Sequence, residues 1–296
     1  MATANLTPQP RIQPVPEPFE KAGLAADVLR LDEVHPVVSG NKWYKLKYWL
    51  QQCVDEGKQG LLTWGGAWSN HLLATAAACA AAGLQSIGIV RGERPALLSP
   101  TLEDAQRYGM QLHFVSRSFY KEGTVPHHLL IDDFLQVPAG GYGALGAAGA
   151  AEILRGIPPQ YSHIICAVGT GTMMAGLMQA ASQDCTVIGI SSQKANLSLH
   201  NEVSRLAHKS KPVFIEHRFH FGGYARWNTT LLRFMNDWYG QTGIPTDFVY
   251  TAKTFYAAQQ LANEGLFAEG SKLLLIHSGG LQGNRGLPPH SLIFSS

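Results

Sequence analysis

The stretch Ser39-Gly40-Asn41-Lys42-Trp43-Tyr44-Lys45-Leu46-Lys47-Tyr48 places a lysine just past a serine–glycine turn, where an extended segment from Asp27 to Val34 gives way to a helix. An ammonium at the first turn of a helix meets unpaired N–H groups and the positive end of the dipole, so its charged form is disfavoured and its pKa falls. A neutral amine there attacks a carbonyl carbon and forms a Schiff base. Lys42, Lys45 and Lys47 also read as an ordinary solvated helix face.

Two later stretches give the lysine company. In Cys166-Ala167-Val168-Gly169-Thr170-Gly171-Thr172-Met173-Met174-Ala175-Gly176-Leu177, between a strand and a helix, glycines and threonine hydroxyls turn donors inward at a helix N-terminus, as a phosphate cradle does. No Lys-Ser or Lys-Thr follows as in a P-loop, and Met174 stands where a dinucleotide loop has its third glycine. A plain tight turn is the other reading. Gly65-Gly66-Ala67-Trp68-Ser69-Asn70-His71 offers a second anion site at a helix start, although Ser69 or Asn70 serves equally well as an N-cap. Phosphate held without a nucleotide motif points to a phosphorylated cofactor. A lysine that condenses with a carbonyl is what pyridoxal phosphate requires.

The elements that must position these residues alternate. Strands are predicted at 60–64, 86–91, 111–115, 163–168, 186–190, 213–216, 247–250 and 272–277. Helices are predicted at 69–82, 99–108, 144–154, 172–181, 195–207, 227–239 and 254–264, with a short one near 127–134 and a loop at 138–143. Such alternation argues for parallel sheets covered on both faces, whose ligands gather at the carboxyl ends of the strands. No short repeat and no low-complexity linker divides the chain.

Composition narrows the partners. The 296 residues are enough for one large or two ordinary domains, and 23 basic against 21 acidic side chains leave a net charge of +2, far from a nucleic-acid footprint. A small-molecule partner is expected. Cys53, Cys79, Cys166 and Cys185 are scattered in apolar segments, which fits buried thiols in a reducing compartment. The proline-rich start, Met1 to Pro18, lacks the pattern of a secretory signal, and the longest apolar run, Leu72 to Ala82, is too short to span a bilayer, so a cytoplasmic location is expected. Glu216, His217 and His220 lack metal-site spacing, His127-His128 and Asp132-Asp133 read as surface, and no G-x-S-x-G elbow is present. No metal is expected.

Taken in order, Ser39-Gly40-Asn41-Lys42 with Lys45 and Leu46, Gly65-Gly66 leading to Ser69-Asn70-His71, Pro138-Ala139-Gly140-Gly141, Gly169 to Leu177, Phe221-Gly222-Gly223-Tyr224-Ala225, Tyr250-Thr251 and His277-Ser278-Gly279-Gly280 resemble the pyridoxal-phosphate family of 1-aminocyclopropane-1-carboxylate deaminase and D-cysteine desulfhydrase. The resemblance runs from about Val34 to Gly280. It implies the two-domain, parallel-sheet α/β fold of the tryptophan synthase β-like (fold type II) enzymes, with 1–48 and 139–296 as the larger cofactor-binding domain and 49–138 as a smaller inserted one. It also implies a homodimer. By the same resemblance Lys42 matches the Schiff-base lysine and Lys45 a lysine near the phosphate. Asn70 matches the asparagine on the cofactor's 3-hydroxyl oxygen, and Ser69 and His71 positions that receive the substrate carboxylate. Gly169, Thr170, Gly171 and Thr172 match the phosphate turn, and Tyr224 and Tyr250 two active-site tyrosines. Thr172 and Met173 depart from the usual glycine and threonine, with Thr172 in reach of supplying the hydroxyl one residue early.

Two positions bear on the reaction. The cyclopropane deaminases carry Glu and Leu where this chain has Thr251 and Ser278. A carboxylate beside the pyridine nitrogen keeps it protonated and deepens the electron sink, which a substrate with no leaving group needs; a hydroxyl does not. The expectation is therefore a lyase performing β-elimination on a D-amino acid, D-cysteine first, giving pyruvate, hydrogen sulfide and ammonia. A cyclopropane deaminase, action on another β-substituted amino acid such as D-serine, and a non-catalytic cofactor or metabolite binder of the same fold are the alternatives.

Overall fold

The computed structural model describes residues 9–129, 132–208 and 212–294. In chain order the elements are β1 (Arg11–Pro14), α1 (Pro16–Phe19), β2 (Ala25–Arg30), α2 (Asn41–Asp55), β3 (Gly60–Gly65), α3 (Asn70–Ala81), β4 (Gln85–Arg91), α4 (Pro100–Arg107), β5 (Gln111–Val115), α5 (Arg117–Glu122) and β6 (Phe134–Val137). There follow α6 (Ala144–Ala151), β7 (His163–Val168), α7 (Thr172–Ala180), β8 (Thr186–Ser191), α8 (Ser198–Ala207), β9 (Phe214–Glu216), α9 (Thr229–Thr242), α10 (Thr251–Asn263) and β10 (Lys272–His277).

The strands form two sheets. One has the order β1-β2-β10-β7-β8-β9, the other β5-β4-β3-β6. Every pairing is parallel except β1 with β2. Strands covered on both faces have no polar side to show, and β10 accordingly buries Leu273, Leu274, Leu275 and Ile276 in succession. Leu274 and Ile276 join the core beneath α6, α7 and α8, while Leu273 and Leu275 join the one beneath α9 and α10. In the smaller sheet, Val90 packs with α3 and α4, whereas Ile87 and Ile89 face Leu129 and Phe134.

The small residues of α6 and α7 let backbones touch. A methyl added at Gly149 would lie 2.1 Å from the Tyr44 carbonyl oxygen of α2, and one at Gly176 would lie 2.4 Å from that of Ala147. That contact fixes where α2 begins. Gly40, at φ 65°, abuts the end of β10: an added Cβ there would sit 1.9 Å from the Ser278 carbonyl, which instead accepts the Asn41 N–H at 3.1 Å.

Several expectations are corrected. The proline-rich arm supplies β1, an antiparallel edge strand in which Pro14 removes no central hydrogen bond. Its first eight positions lie outside the described residues. The helix expected near 127–134 is a single tight turn, His127–Leu129, with 130–131 outside the described residues. Phe134–Val137 is a strand, too short to show a period but closing the edge of the sheet beside β3. No strand forms at 247–250, because the N–H groups of Val249, Tyr250 and Thr251 turn inward to the Asp247 carboxylate. Between the two expected domains α2 runs unbroken, from Asn41 to Asp55.

Candidate active site

A cavity of about 640 Å³ opens at the carboxyl ends of β3, β4, β7, β8 and β10, lined from both sheets. Lys42, Lys45, Ser69, Asn70, His71, Gly169, Thr170, Gly171, Tyr224, Tyr250 and Ser278 all line it. The lysine and the glycine turn, far apart in the chain at Lys42 and Gly169, thus share one chamber.

Lys42 sits in the first turn of α2, its Nζ donating to Asn41 Oδ1 at 2.9 Å. Burial pulls its pKa down to about 8, and the Asp247 carboxylate partly opposes the fall. Lys45, one turn on, is 3 % exposed, and burial, then the charge of Lys42, hold it well below the usual amine value.

Ser69 caps α3, its Oγ accepting the Leu72 N–H at 3.3 Å. The capping and cavity-facing readings are therefore compatible. His71 is buried, with Nε2 2.9 Å from Thr63 Oγ1, and that hydroxyl donates to the Val137 carbonyl at 2.7 Å. The hydroxyl's proton is spoken for, so Nε2 must carry the imidazole hydrogen and Nδ1 is a bare acceptor. Burial, then the charges of Lys42 and Lys45, keep the ring well below its ordinary pKa, hence neutral. A neutral Nδ1 accepts a proton from a ligand and offers none to a carboxylate. The buried Nδ1 of His71, Oδ1 of Asn70 and Nε1 of Trp64 have no partner within the protein.

The turn after β7 is held by Gln193, whose Nε2 donates to the Gly169 carbonyl at 2.8 Å. Gly171, at φ 79°, starts α7, and a Cβ there would lie 2.8 Å from Val203 Cγ2. Thr172 is not among the lining residues: it is fully buried with Oγ1 3.0 Å from that of Thr170, so Thr170 presents the hydroxyl and Thr172 orients it.

Tyr224 and Tyr250 meet edge to face at 6.0 Å and share a hydrogen bond. Burial raises both phenols, Tyr250 well above its usual value; Tyr224, half exposed, is eased back by its bond to Tyr250. Thr251 also departs from expectation. Its hydroxyl donates to Asp247 Oδ1 at 2.7 Å and it does not line the cavity, which leaves Ser278 alone of the two.

Sequence reading missed Asp247, Lys253, Arg91, Lys194 and Gln193. Asp247 is fully buried and caps α10, and an Asp shortly before a helical run was the available signal. Lys253, also fully buried, donates to the carbonyls of His220 and Gly223 at 2.9 and 2.8 Å, pinning the loop that carries Tyr224. Glu216 is engaged by Arg218, and among the described residues no cluster of three or more metal-ligating side chains occurs.

These residues fit pyridoxal phosphate: a depressed amine, a glycine turn at a helix start, and an unpartnered buried amide share one chamber. The fold and site define a fold type II pyridoxal-phosphate protein. The chain belongs to the pyridoxal-phosphate dependent enzyme family, whose pattern matches residues 9–279. It is 25% identical over 92% of its length to a putative 1-aminocyclopropane-1-carboxylate deaminase of Pyrococcus horikoshii, covering 89% of that protein. It is 27% identical over 83% of its length to a bifunctional D-cysteine desulfhydrase/1-aminocyclopropane-1-carboxylate deaminase, mitochondrial, of Arabidopsis thaliana, covering 70% of it. A crystal structure of an ACC deaminase homologue superposes with a TM-score of 0.76 at 24% identity, covering 94% of this chain and 91% of the other.

Proposed function

We propose that the enzyme eliminates a β-substituent from a D-amino acid, D-cysteine being the first candidate, to give pyruvate, hydrogen sulfide and ammonia. The observation that carries this reading is that no Asp or Glu is among the described residues lining the cavity. Nothing there holds a proton on a ring nitrogen, so a leaving group must take up the electrons promptly. A cofactor held at Lys42 would supply an electron sink for the substrate's Cα. Gly169, Thr170 and Gly171 would hold its phosphate with Lys45 nearby, and Asn70 would meet its 3-oxygen. Ser69 and the start of α3 receive the substrate carboxylate. Released Lys42 Nζ takes the Cα proton. Tyr250, a phenol already protonated at neutral pH and kept so by burial, donates to the departing sulfur directly or through Tyr224.

The relatives are named for cyclopropane deamination and, in Arabidopsis thaliana, for D-cysteine desulfhydration as well; against the first as this chain's reaction the carboxylate-free lining argues. We further propose a cytoplasmic homodimer in which 49–138 acts as the smaller domain. Purified protein is expected to be yellow and to make pyruvate from D-cysteine, with little ketobutyrate from the cyclopropane substrate. Lys42→Ala is expected to lose both colour and turnover. A wild type that stays colourless with added cofactor, or that makes ketobutyrate faster than pyruvate, overturns the reading.

A further inference from the structure

The cavity holds more positive charge than the proposed reaction uses. Its charged lining residues are Lys42, Lys45, Arg91 and Lys194, with no Asp or Glu among them. On the reading above, Lys42 is consumed in holding the cofactor, Lys45 lies by the phosphate, and the start of α3 takes the α-carboxylate. Arg91 and Lys194 remain. The arginines at 11, 30, 107, 205, 218 and 285 pair with carboxylates, and of those with no such pair among the described residues, at 91, 94, 117, 155, 226 and 233, Arg91 lines the cavity. Arg91, the last residue of β4, has no carboxylate within ion-pairing distance among the described residues.

Both cations converge on the mouth beside Tyr224, from opposite lobes. Arg91 is felt at the hydroxyls of Tyr120 and Tyr224, where it works against the upward push of burial. Across the cleft, Lys194 backs the Tyr224 loop: a Cβ on Gly223 would lie 3.5 Å from its own Cβ. Arg91 and Lys194 are both exposed at the cavity rim, and a guanidinium there matches a carboxylate, sulfonate or phosphate ester.

We infer that, beside D-cysteine, the site takes β-substituted D-amino acids whose side chain ends in a second anionic group, received by Arg91 with Lys194 opposite. This deepens the proposed β-elimination and rests on it.

The test is a titration of the holoprotein, followed by its visible absorbance, with D-aspartate and its neutral isostere D-asparagine. Neither has a good leaving group at Cβ, so binding is read without turnover. D-aspartate is expected to bind about tenfold or more tightly, the advantage of a charge-assisted over a neutral hydrogen bond. Arg91→Gln is expected to keep the colour and abolish the preference, Arg91→Lys to retain part of it, and Lys194→Gln to reduce it. Equal binding by wild type, a preference that survives Arg91→Gln, or a spectrum that answers D-cysteine but neither probe overturns the inference while leaving β-elimination standing. A wild type without visible absorbance overturns both, and its blank baseline tells the two failures apart.

Discussion

At Lys42 the sequence and the structure agree on a weakened ammonium but assign different main causes. The helix start was the sequence-level argument; in the folded chain, burial does most of the lowering, and Asp247 sets its floor near 8. Below that pH the amine is increasingly protonated and cannot attack a carbonyl, so the rate of cofactor uptake by apoprotein is expected to rise with pH and level off above about 8. Stopped-flow absorbance across pH 6.5 to 9.5, roughly that pKa with a margin on each side, checks the sign. A rate that falls as pH rises would show that the protonated form is the reactive one. At His71 the bond between Nε2 and Thr63, whose hydroxyl also donates to the Val137 carbonyl, favours an accepting Nδ1 toward the chamber.

Elements bring Lys42 to its place through a junction between α2 and the end of β10. Gly40 carries it, at a positive φ and with the Ser278 carbonyl where a Cβ would stand. Both the dihedral and the clash oppose any side chain, and the clash is with backbone, which cannot rotate away. Gly40→Ala is expected to cost about 3 kcal/mol or more in urea denaturation. It should also weaken visible absorbance, because Lys42 moves with the helix. An unchanged midpoint and spectrum would mean that the junction is looser than its distances indicate. A second joint is the loop between β9 and α9, where Lys253 ties two carbonyls and so fixes Tyr224 at the rim.

Over the whole molecule, folding strips water from cations in and behind the chamber. Lys42 and Lys253 are both lowered to about 8 by burial, and burial holds Lys45 well below the ordinary lysine value. Between about pH 8 and the ordinary lysine value the unfolded chain binds protons that the folded chain does not, so stability of the apoprotein rises with pH there. Each such lysine adds at most about 1.4 kcal/mol per pH unit, less where water screens it. Urea midpoints of apoprotein are expected to be higher at pH 9.5 than at pH 8, with a flatter slope in Lys253→Met. Cys79 and Cys166, raised to about 12 by burial, act the other way over this range, so a wild-type slope no steeper than that of Lys253→Met would remove lysine burial as the cause. The chamber's walls come from both sheets, and α2 and the Arg285–Asp104 ion pair also join the two lobes, so loading the chamber with an anionic cofactor is expected to act on both.

The alternation of strands and helices, the glycine turn after β7 and the capped start of α3 were legible in the sequence, because period, glycine and capping residues are local properties. Short edge elements such as β1 and β6 were not, since four residues carry no period and their pairing is decided by the neighbouring strand. The sequence determined which side chains are chemically able to act: an amine at a helix start, hydroxyls in a turn, paired tyrosines. Only the tertiary structure decided which of them reach the cavity. It turned Thr172 and Thr251 inward to their own partners, brought Arg91 and Lys194 from separate lobes to one rim, and set Asp247 behind Lys42. Depth, proton ownership and the sum of charge in a cavity depend on residues far apart in the chain.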